Sequence, residues 1–481
     1  MIRDKLEKIN DFTWKLPKTV REKMRVDAHI FASKNIIDSG DDKAFEQLTN
    51  VACLPGIIEP VVGMPDLHWG YGLPVGAVGA FDLQEGIISA GMTGFDINCG
   101  IRMLTTTLVT KDVQAVKREL TNELFKRVRA GVGSKSRIKL TAAQLDEVME
   151  RGAQWCVDNG YGIKEDTAHS EENGNMPGAN PAKVSRDARK RGMPQLGTLG
   201  AGNHFLEVQR VEQVFDKTIA DAYGLSKDQV VVMIHCGSRG FGHQIASDYL
   251  RIMNRAVKEN NIWLPDPQLV CAPVQSTQGI DYYEAMVCGV NFAFANRQMI
   301  TSFVREAFSR VFKKDWHELG LTLLYDVCHN IAKKEIHTIN GKKKEVMVHR
   351  KGATRSFAPG HEKVPSAYRR AGQPVLIAGS MGTASYILSG TQGAMEKSFG
   401  SSCHGAGRQM SRKGAIREFK GANIQAQLEK KGILAKATNP LLLAEEAPGA
   451  YKDVDEVIAS VAGAGISNTV ARVTPLLVTK G

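Results

Sequence analysis

The stretch VVVMIHCGSRGFG, residues 230–242, joins an apolar run to a glycine turn. The run VVVMIHC (230–236) is short and rich in β-branched residues, which predicts a buried strand. The residues that follow, HQIASDYLRIMNRAVK (243–258), have helical periodicity. A strand, a glycine turn and a helix in direct succession indicate a protein that mixes sheets with helices.

The segments on either side of this stretch fit the same class. Helical periodicity predicts helices over 111–131, 141–159 and 281–313, and LTLLYDVCH (321–329) predicts a second buried strand. An Asn-Gly pair inside TINGKKKEVMV (338–348) indicates a hairpin. We read the first 50 residues as short amphipathic helices and 160–202, which are rich in Gly, Asn, Pro and charge, as a long functional loop.

The whole chain, 1–481, shows no composition break and no internal repeat. We therefore expect one large mixed α/β (α+β) domain with central β-sheets, surrounding helices and a deep metal-containing cleft. No apolar run approaches the roughly 18 residues that span a bilayer, and the charged start of the chain has no signal-peptide core. These features predict a cytoplasmic protein without membrane contact.

The net charge of +11 is concentrated in four stretches, and this predicts a polyanionic partner. Those stretches are RDARKRG (186–192), residues 333–355, AYRR (367–370) and GRQMSRKGAIR (407–417). A basic surface that only aids solubility is the alternative. The eight cysteines form no CxxC pair, which indicates free thiols for packing or metal binding.

Candidate metal ligands come from four separate segments. GFDINCG (94–100) places Asp96 and Cys99 on one turn, and His204, His235 and His329 each stand where a strand or apolar run begins or ends. Five ligands are one more than a tetrahedral site uses, so a thiolate that bridges two metals is a reasonable hypothesis. Ligand softness alone favours zinc, and a turn that Asp96 and Cys99 merely fill is the alternative.

A second site is indicated by SFGSSCHGAGRQMSRKGAIR (398–417), in which glycines surround His404 and basic residues follow it. Glycines allow a close backbone approach, and the start of a helix favours phosphate. His404 could serve as a metal ligand, a general acid or a nucleophile toward phosphorus, and these roles stay open at this point. Neither GAGNHFLE (200–207) nor IAGSMGTAS (377–385) is a Walker A loop or a dinucleotide fingerprint.

Taken together, the motifs resemble those of the RtcB RNA ligases, which act in tRNA splicing and RNA repair. The resemblance runs along nearly the whole chain through PDLHWGYGLPVG (65–76), GFDINCGIR (94–102), LGTLGAGNHFLEV (196–208), HCGSRGFGH (235–243), VCHNIA (327–332), SFAPG (356–360), VLIAGSMGTASY (375–386), SCHGAGR (402–408) and VTKG (478–481). The KxDG lysine motif of ATP-dependent ligases does not occur.

The resemblance implies a GTP- and manganese-dependent ligase that joins 2′,3′-cyclic phosphate or 3′-phosphate RNA ends to 5′-hydroxyl ends. It implies that Asp96, Cys99, His204, His235 and His329 hold two Mn²⁺ ions, and that His404 forms a covalent histidine-GMP. Arg239, Arg408 and Asp66 would complete the catalytic set, although Asp66 has no assigned role. Guanylate would be bound by Asn203, His204, Phe205, Leu206, Glu207, His329, Asn330, Ala378, Gly379, Ser380, Met381, Ser385, His404, Gly405, Ala406, Gly407, Tyr451 and Lys480.

Within that set, Glu207 is the natural carboxylate for the guanine N–H edge. The implied partners are RNA, as tRNA halves or other cleaved ends, and the small activator protein archease. Two other functions would use the same residues. One is a dinuclear metal-dependent phosphoesterase that acts on RNA, and the other is a non-catalytic RNA-binding protein in which the histidines and Cys99 are structural.

Overall fold

A computed structural model describes residues 1–481 and shows a mixed α/β architecture, as predicted. The helices are α1 (Lys34–Asp38), α2 (Asp42–Val51), α3 (Ala90–Thr93), α4 (Thr110–Arg127), α5 (Ala142–Arg151), α6 (Ala153–Asp158), α7 (Lys164–Ala168), α8 (Arg186–Gly192), α9 (Lys217–Ala222), α10 (Arg239–Glu259), α11 (Thr277–Phe312), α12 (Gln392–Lys397), α13 (Arg412–Glu418), α14 (Gly421–Lys430), α15 (Pro440–Glu445) and α16 (Val454–Gly463). The strands are β1 (Glu7–Asn10), β2 (Thr13–Leu16), β3 (Ala28–Phe31), β4 (Ile57–His68), β5 (Val75–Asp82), β6 (Ile87–Ile88), β7 (Gly100–Val109), β8 (Phe205–Val214), β9 (Gln229–Cys236), β10 (Ala272–Pro273), β11 (Thr322–Cys328), β12 (Asn330–Ile339), β13 (Lys342–Lys351), β14 (Ala353–Arg355), β15 (Pro374–Ile377), β16 (Ser385–Gly390), β17 (Ser401–Cys403), β18 (Leu434–Ala437) and β19 (Ser467–Lys480).

The larger of the two main sheets has eight strands and carries the sequence that opened the argument. Its strand order is β11-β7-β9-β8-β19-β16-β15, with β18 paired to β19. Strand β9 is VVVMIHC preceded by Gln229, and it lies between β7 and β8 with almost every residue buried. Burial on both faces explains why this strand is a continuous apolar run and not an alternating one.

The second main sheet has seven strands in the order β1-β2-β3-β4-β5-β13-β12. Strands β12 and β13 form the predicted hairpin, and Asn340 and Gly341 at its turn both have positive φ angles, of 50° and 75°. This is the backbone that an Asn-Gly pair adopts most readily. Strand β4 of the same sheet carries Asp66 toward the eight-stranded sheet, so the two sheets meet at the candidate site.

Helix α11, 36 residues long, is the central helix of the core. Nearly all of its middle residues are buried, and among them are Asn291, Asn296, Arg297, Gln298 and Arg305. A helix that is apolar around its whole circumference is expected at the centre of a large protein. Its few polar residues are therefore in contact with other buried polar groups, and this arrangement bears directly on the site.

Three sequence-based assignments differ from the structure. The single helix predicted over 141–159 is two helices, because Gly152 between them has φ +54° and a side chain there would collide with the carbonyl oxygen of Gly174. The first 50 residues contain three strands besides two helices, since β1 to β3 extend the seven-stranded sheet. Segment 160–202 contains helices α7 and α8 and is not a continuous loop.

None of the helices has both the length and the apolar character that crossing a bilayer requires. All eight cysteines are free and buried, in agreement with the predicted reduced thiols. The extent of a single domain over 1–481 stays a prediction.

Candidate active site

The four strands β11, β7, β9 and β8 bring the candidate metal ligands to one edge of the eight-stranded sheet. Cys99 immediately precedes β7, His204 immediately precedes β8, His235 is near the end of β9, and His329 immediately follows β11. The strands are antiparallel neighbours, and the register pairs Gly100 with both Cys236 and Cys328. Alternating strand directions therefore place two strand beginnings and two strand ends side by side.

The ligand atoms of these residues lie close together, with Cys99 at the centre. Its Sγ is 3.3 Å from His204 Nε2 and 3.2 Å from His235 Nε2. On one side, His204 Nε2 lies 2.8 Å from Asp96 Oδ2. On the other, His235 Nε2 lies 3.3 Å from His329 Nε2. The five residues thus form two pairs that share one thiol, as expected if a sulfur bridges two cations.

These residues also fit divalent cations chemically. Cys99, His204 and His235 have their ligand atoms within 4.8 Å of one another. In a tetrahedral site with metal–nitrogen bonds of about 2.0 Å, two ligand nitrogens lie about 3.3 Å apart, which is the separation of the His235 and His329 Nε2 atoms. Asp96 Oδ2 is buried without a hydrogen-bond donor, so it keeps lone pairs for a metal.

Protonation at the cluster is governed by burial and by neighbouring charge. Burial moves the pKa of His235 and His329 well below the usual value, so both rings are neutral, which is the ligand form. His235 Nδ1 lies 3.0 Å from the Asn203 carbonyl, to which it donates, so Nε2 is left with its lone pair. Burial opposes ionisation of Asp96, but His204 beside it lowers the pKa of the carboxyl to about 2. Burial and Asp96 raise the pKa of the Cys99 thiol to about 12, so binding of a cation is what would ionise it.

A buried ionic network holds the turn that carries Asp96 and Cys99. The guanidinium of Arg297 on α11 donates to the Asn98 carbonyl at 2.8 Å and to the Cys236 carbonyl at 2.9 Å. The same group pairs with Asp326 at 2.8 Å, and Arg102 pairs with Asp326 from β7 at 2.7 Å. Arg297 therefore ties the residue before Cys99 to the residue after His235, which fixes the separation of those two ligands.

His404 lies beside the metal-ligand cluster and is oriented by Asp66. Its Nδ1 is 2.5 Å from Asp66 Oδ2, and that oxygen also accepts from the His404 backbone N–H at 3.0 Å. Burial alone would raise the Asp66 pKa, but the contacts with His404 lower it, so the carboxylate stays ionised. The His404 ring centroid is 4.8 Å from that of His329. The Asp66 contact keeps the proton on Nδ1 and leaves Nε2 as a free lone pair.

The backbone around His404 explains the glycines that surround it. Gly407 has φ +72°, and a side chain on it would come within 2.4 Å of the Asp66 carbonyl oxygen. Glycine at this position lets the histidine loop lie directly against β4. In each of the Cys-His pairs at 235–236, 328–329 and 403–404, the histidine lines the cleft and the cysteine does not, as the alternation of side chains along a strand predicts.

The cleft above the cluster is lined by most of the predicted nucleotide-binding residues. Those on its wall are Asn203, Phe205, His329, Asn330, Ala378, Gly379, Ser380, Met381, His404, Gly405, Ala406, Gly407, Arg408, Tyr451 and Lys480. Leu206, Glu207, Ser385 and Arg239 do not line it. Glu207 is buried and accepts a hydrogen bond from Gln209 at 2.7 Å, and burial raises its pKa to about 7.

Comparison with known proteins agrees with this geometry. The family model described as tRNA-splicing ligase RtcB matches residues 47–481. The chain belongs to the RtcB family. It is 53% identical to the tRNA-splicing ligase RtcB of Thermococcus kodakarensis over 477 residues, which cover 99% of each chain. It is 52% identical to the protein of the same name from Archaeoglobus fulgidus over 476 residues, again 99% of each chain, and 50% identical to that of Methanococcus maripaludis over 480 residues, the full length of both.

In this RtcB-family chain, sequence reasoning missed Glu446, which is central to the cleft wall. Its carboxylate pairs with Arg408 at 3.1 Å and lies 3.5 Å from Lys480 Nζ. It also accepts a hydrogen bond from the Tyr451 hydroxyl, and the Arg408 guanidinium lies over the Tyr451 ring at 4.9 Å. Burial opposes ionisation of Glu446, but Lys480 lowers its pKa. Glu446 thus connects three of the predicted residues.

Other cleft residues were also missed. His68, Phe95, Lys351 and Arg412 line the cleft. Burial lowers the pKa of Lys351 to about 7, and its ammonium contacts the Tyr71 and Gly91 carbonyls with no carboxylate beside it. His68 and Phe95 lie inside motifs that were recognised, so their motifs were a usable signal. Lys351 follows a run of surface lysines in the sequence, and nothing there distinguishes it from them.

Proposed function

We propose that the protein is a GTP-dependent RNA ligase that joins 2′,3′-cyclic phosphate or 3′-phosphate ends to 5′-hydroxyl ends in tRNA splicing and RNA repair. The observation that carries the proposal is the His404 imidazole, oriented by buried Asp66 and placed 4.8 Å, ring to ring, from the metal-ligand cluster. Membership of the RtcB family supports the ligase class. Guanylate transfer and the identity of the metal are the proposed parts.

His404 is the proposed nucleophile for the α-phosphorus of GTP. Asp66 retains the Nδ1 proton, so the attacking Nε2 carries a lone pair and no proton has to leave before the attack. The Nε2–P bond forms as the bond between the α-phosphorus and the bridging oxygen breaks, and pyrophosphate leaves with that electron pair. The positive charge that develops on the ring is stabilised by the Asp66 carboxylate 2.5 Å from Nδ1.

Asp96, Cys99, His204, His235 and His329 would hold two Mn²⁺ ions, with the Cys99 sulfur shared between them. Bound there, the cations would neutralise phosphate charge next to His404 and lower the barrier to the departure of pyrophosphate. The chain supports this role by supplying two neutral imidazoles, a carboxylate with a free oxygen, and a thiol between two ligand pairs.

The guanosine would occupy the cleft between the turn 378–381 and Tyr451. Ser380 and Met381 lie on that turn, and Arg408 and Lys480 supply positive charge opposite it. Glu446 orients both cations through its contacts with them. Glu207 is buried behind the wall, so in this proposal it reads the guanine only if the base enters far enough to displace the hydrogen bond from Gln209.

Three RNA steps follow. Water opens a 2′,3′-cyclic phosphate to a 3′-phosphate. An oxygen of that phosphate then attacks the guanylate phosphorus, the bond to His404 Nε2 breaks, and the RNA 3′ end carries a diphosphate-linked guanosine. Last, the 5′-hydroxyl oxygen attacks the RNA 3′ phosphorus, its proton goes to solvent, and GMP leaves. Arg239 and Arg408 would hold phosphates during these steps, and archease is the expected activator.

One labelling experiment separates this reaction from its main rival. An RNA strand carries ³²P in its 3′-terminal phosphate and is incubated with a 5′-hydroxyl strand, GTP and Mn²⁺, beside His404→Ala. The proposal expects the label in a longer product where phosphatase cannot remove it, with no such product from the variant or without GTP. A dinuclear phosphoesterase would instead release labelled inorganic phosphate without GTP, and that result would overturn the ligase assignment.

A further inference from the structure

A second groove lies beside the start of helix α10, outside the cleft described above. One wall is the segment 135–140, and the other is helix α8 with Met193 and Pro194 behind it. Its floor is apolar, formed by Ile138, Leu140, Leu145 and Met193. None of the predicted catalytic, nucleotide-binding or metal residues lines this groove. Its function is therefore not explained by the site already described.

The rim of this groove carries positive charge that the protein does not neutralise. Lys135, Lys139, Arg186 and Lys190 are exposed around it, and none of them forms an ion pair. Arg189 differs, because it pairs with Asp146, and Asp187 is the one carboxylate on the groove wall. Four free cations around an apolar floor form a surface suited to a chain with phosphates on its outside and flat apolar groups between them.

Both walls are attached to residues that touch the metal ligands. Arg239 donates to the Gly131 carbonyl at 3.0 Å, next to the first wall, and its guanidinium also lies against Gly200. Gly200 in turn lies against His204, so closely that a side chain would meet His204 Nδ1. On the other wall, Gln195 accepts from the Gly240 backbone N–H at 3.0 Å. The groove is thus separated from the metal-ligand cluster by Arg239 and Gly200 alone.

We infer that this groove, defined by Lys135, Lys139, Arg186 and Lys190 around its apolar floor, binds the RNA strand a few nucleotides away from the end being joined. The cations would contact successive phosphates, and an unpaired base would lie on the apolar floor. The inference rests on the proposed function for its choice of RNA over another polyanion. It adds a docking surface that sets affinity for long RNA without taking part in bond formation.

The test compares Lys139→Glu/Lys190→Glu with Lys343→Glu, a control at an exposed lysine that forms no ion pair at the tip of the β12–β13 hairpin. Binding of a fluorescent 20-nucleotide RNA with a 3′-hydroxyl and a 5′-phosphate is measured by anisotropy at several salt concentrations. These ends cannot be joined by the proposed reaction, so the result does not depend on catalysis. We expect binding roughly tenfold weaker for the double variant, with a salt slope smaller by about 2 because two phosphate contacts are lost.

A second readout identifies the position of the groove along the strand. An RNA of only three nucleotides should bind the double variant and the parent equally, because it is too short to reach both the cleft and the groove. Equal affinity of the double variant and Lys343→Glu for the long RNA, with the same salt slope, would overturn the inference and leave an acidic protein as the occupant to test. Failure of the parent to join RNA ends would overturn the proposed function alone, since binding is scored separately.

Discussion

Replacing Arg297 by methionine should weaken metal binding far more than the matched replacement of Arg305. Both arginines lie on helix α11, both are buried, and each pairs with a buried aspartate, Asp326 for Arg297 and Asp166 for Arg305. They differ in what else they touch. Arg297 donates to the carbonyls of Asn98 and Cys236, next to two candidate ligands, whereas the Arg305 Nε donates to the Leu321 carbonyl.

The magnitudes follow from these contacts. Removing one partner of a buried ion pair costs about 3–5 kcal/mol, and the Arg297 variant should lie at the lower end because Arg102 remains 2.7 Å from Asp326. Loss of groups that position metal ligands lowers metal affinity about 10–100-fold. Arg305→Met should therefore cost similar stability and leave metal affinity unchanged.

The assay titrates Co²⁺ into each protein and follows thiolate-to-metal charge-transfer absorption, while urea unfolding of the metal-free proteins reports stability. Arg297→Lys is included as a milder variant that keeps the charge but loses the planar fork. We expect weaker Co²⁺ binding in both Arg297 variants and parent-like binding in Arg305→Met. Equal loss of affinity at the two positions, or none at either, would refute the positioning role of Arg297.

Three further results are expected. Asp66→Asn should slow guanylylation of His404 by about 10²–10⁴-fold, because the amide no longer holds the proton on Nδ1, and Mn²⁺ affinity should stay unchanged; equal loss of both would point to misfolding. Mn²⁺ at about 100 times its Kd should stabilise the parent by about 2.7 kcal/mol in urea unfolding, and Cys99→Ala should abolish most of that gain; a full gain in the variant would exclude the central thiol. Lys333 and Arg355 lower the Glu172 pKa from its usual 4.5, so the Glu172 carboxylate stabilises the fold above that pH and stops doing so as pH falls through the lowered value. The stability difference between the parent and Glu172→Gln should accordingly be largest near pH 7 and shrink below about pH 4.5, and a difference that grows in acid would contradict this sign.

The parts of the fold that could be predicted are those set by local pattern. Strand β9, helix α11 and the hairpin turn at Asn340–Gly341 follow from short-range periodicity and turn chemistry, which act over a few residues. The break at Gly152 could not be predicted, because its cause is the Gly174 carbonyl, which contacts it only after folding. The strands β1 to β3 are short, and their pairing with β4 is a tertiary contact that periodicity does not report.

The site divides in the same way. Asp96, Cys99, His235 and His404 belong to residue types that seldom stand among glycines at the ends of apolar runs without a reason, so they could be chosen from sequence. Their meeting at one edge depends on strand order, which no local pattern contains. Glu446 and Arg297 are charged residues in helical or loop sequence, and only their burial shows that they connect Arg408, Lys480 and Cys99 to the rest of the site.

The most direct measurement is the transfer of label from α-³²P GTP to the denatured protein in the presence of Mn²⁺, with His404→Ala beside the parent chain. The account predicts acid-labile label on the parent, since a phosphoramidate forms at an imidazole nitrogen, and none on the variant. Peptide mapping should place the label within residues 398–408. Label retained by His404→Ala, or absent from a folded parent that binds Mn²⁺ and GTP, would contradict nucleophilic attack by His404.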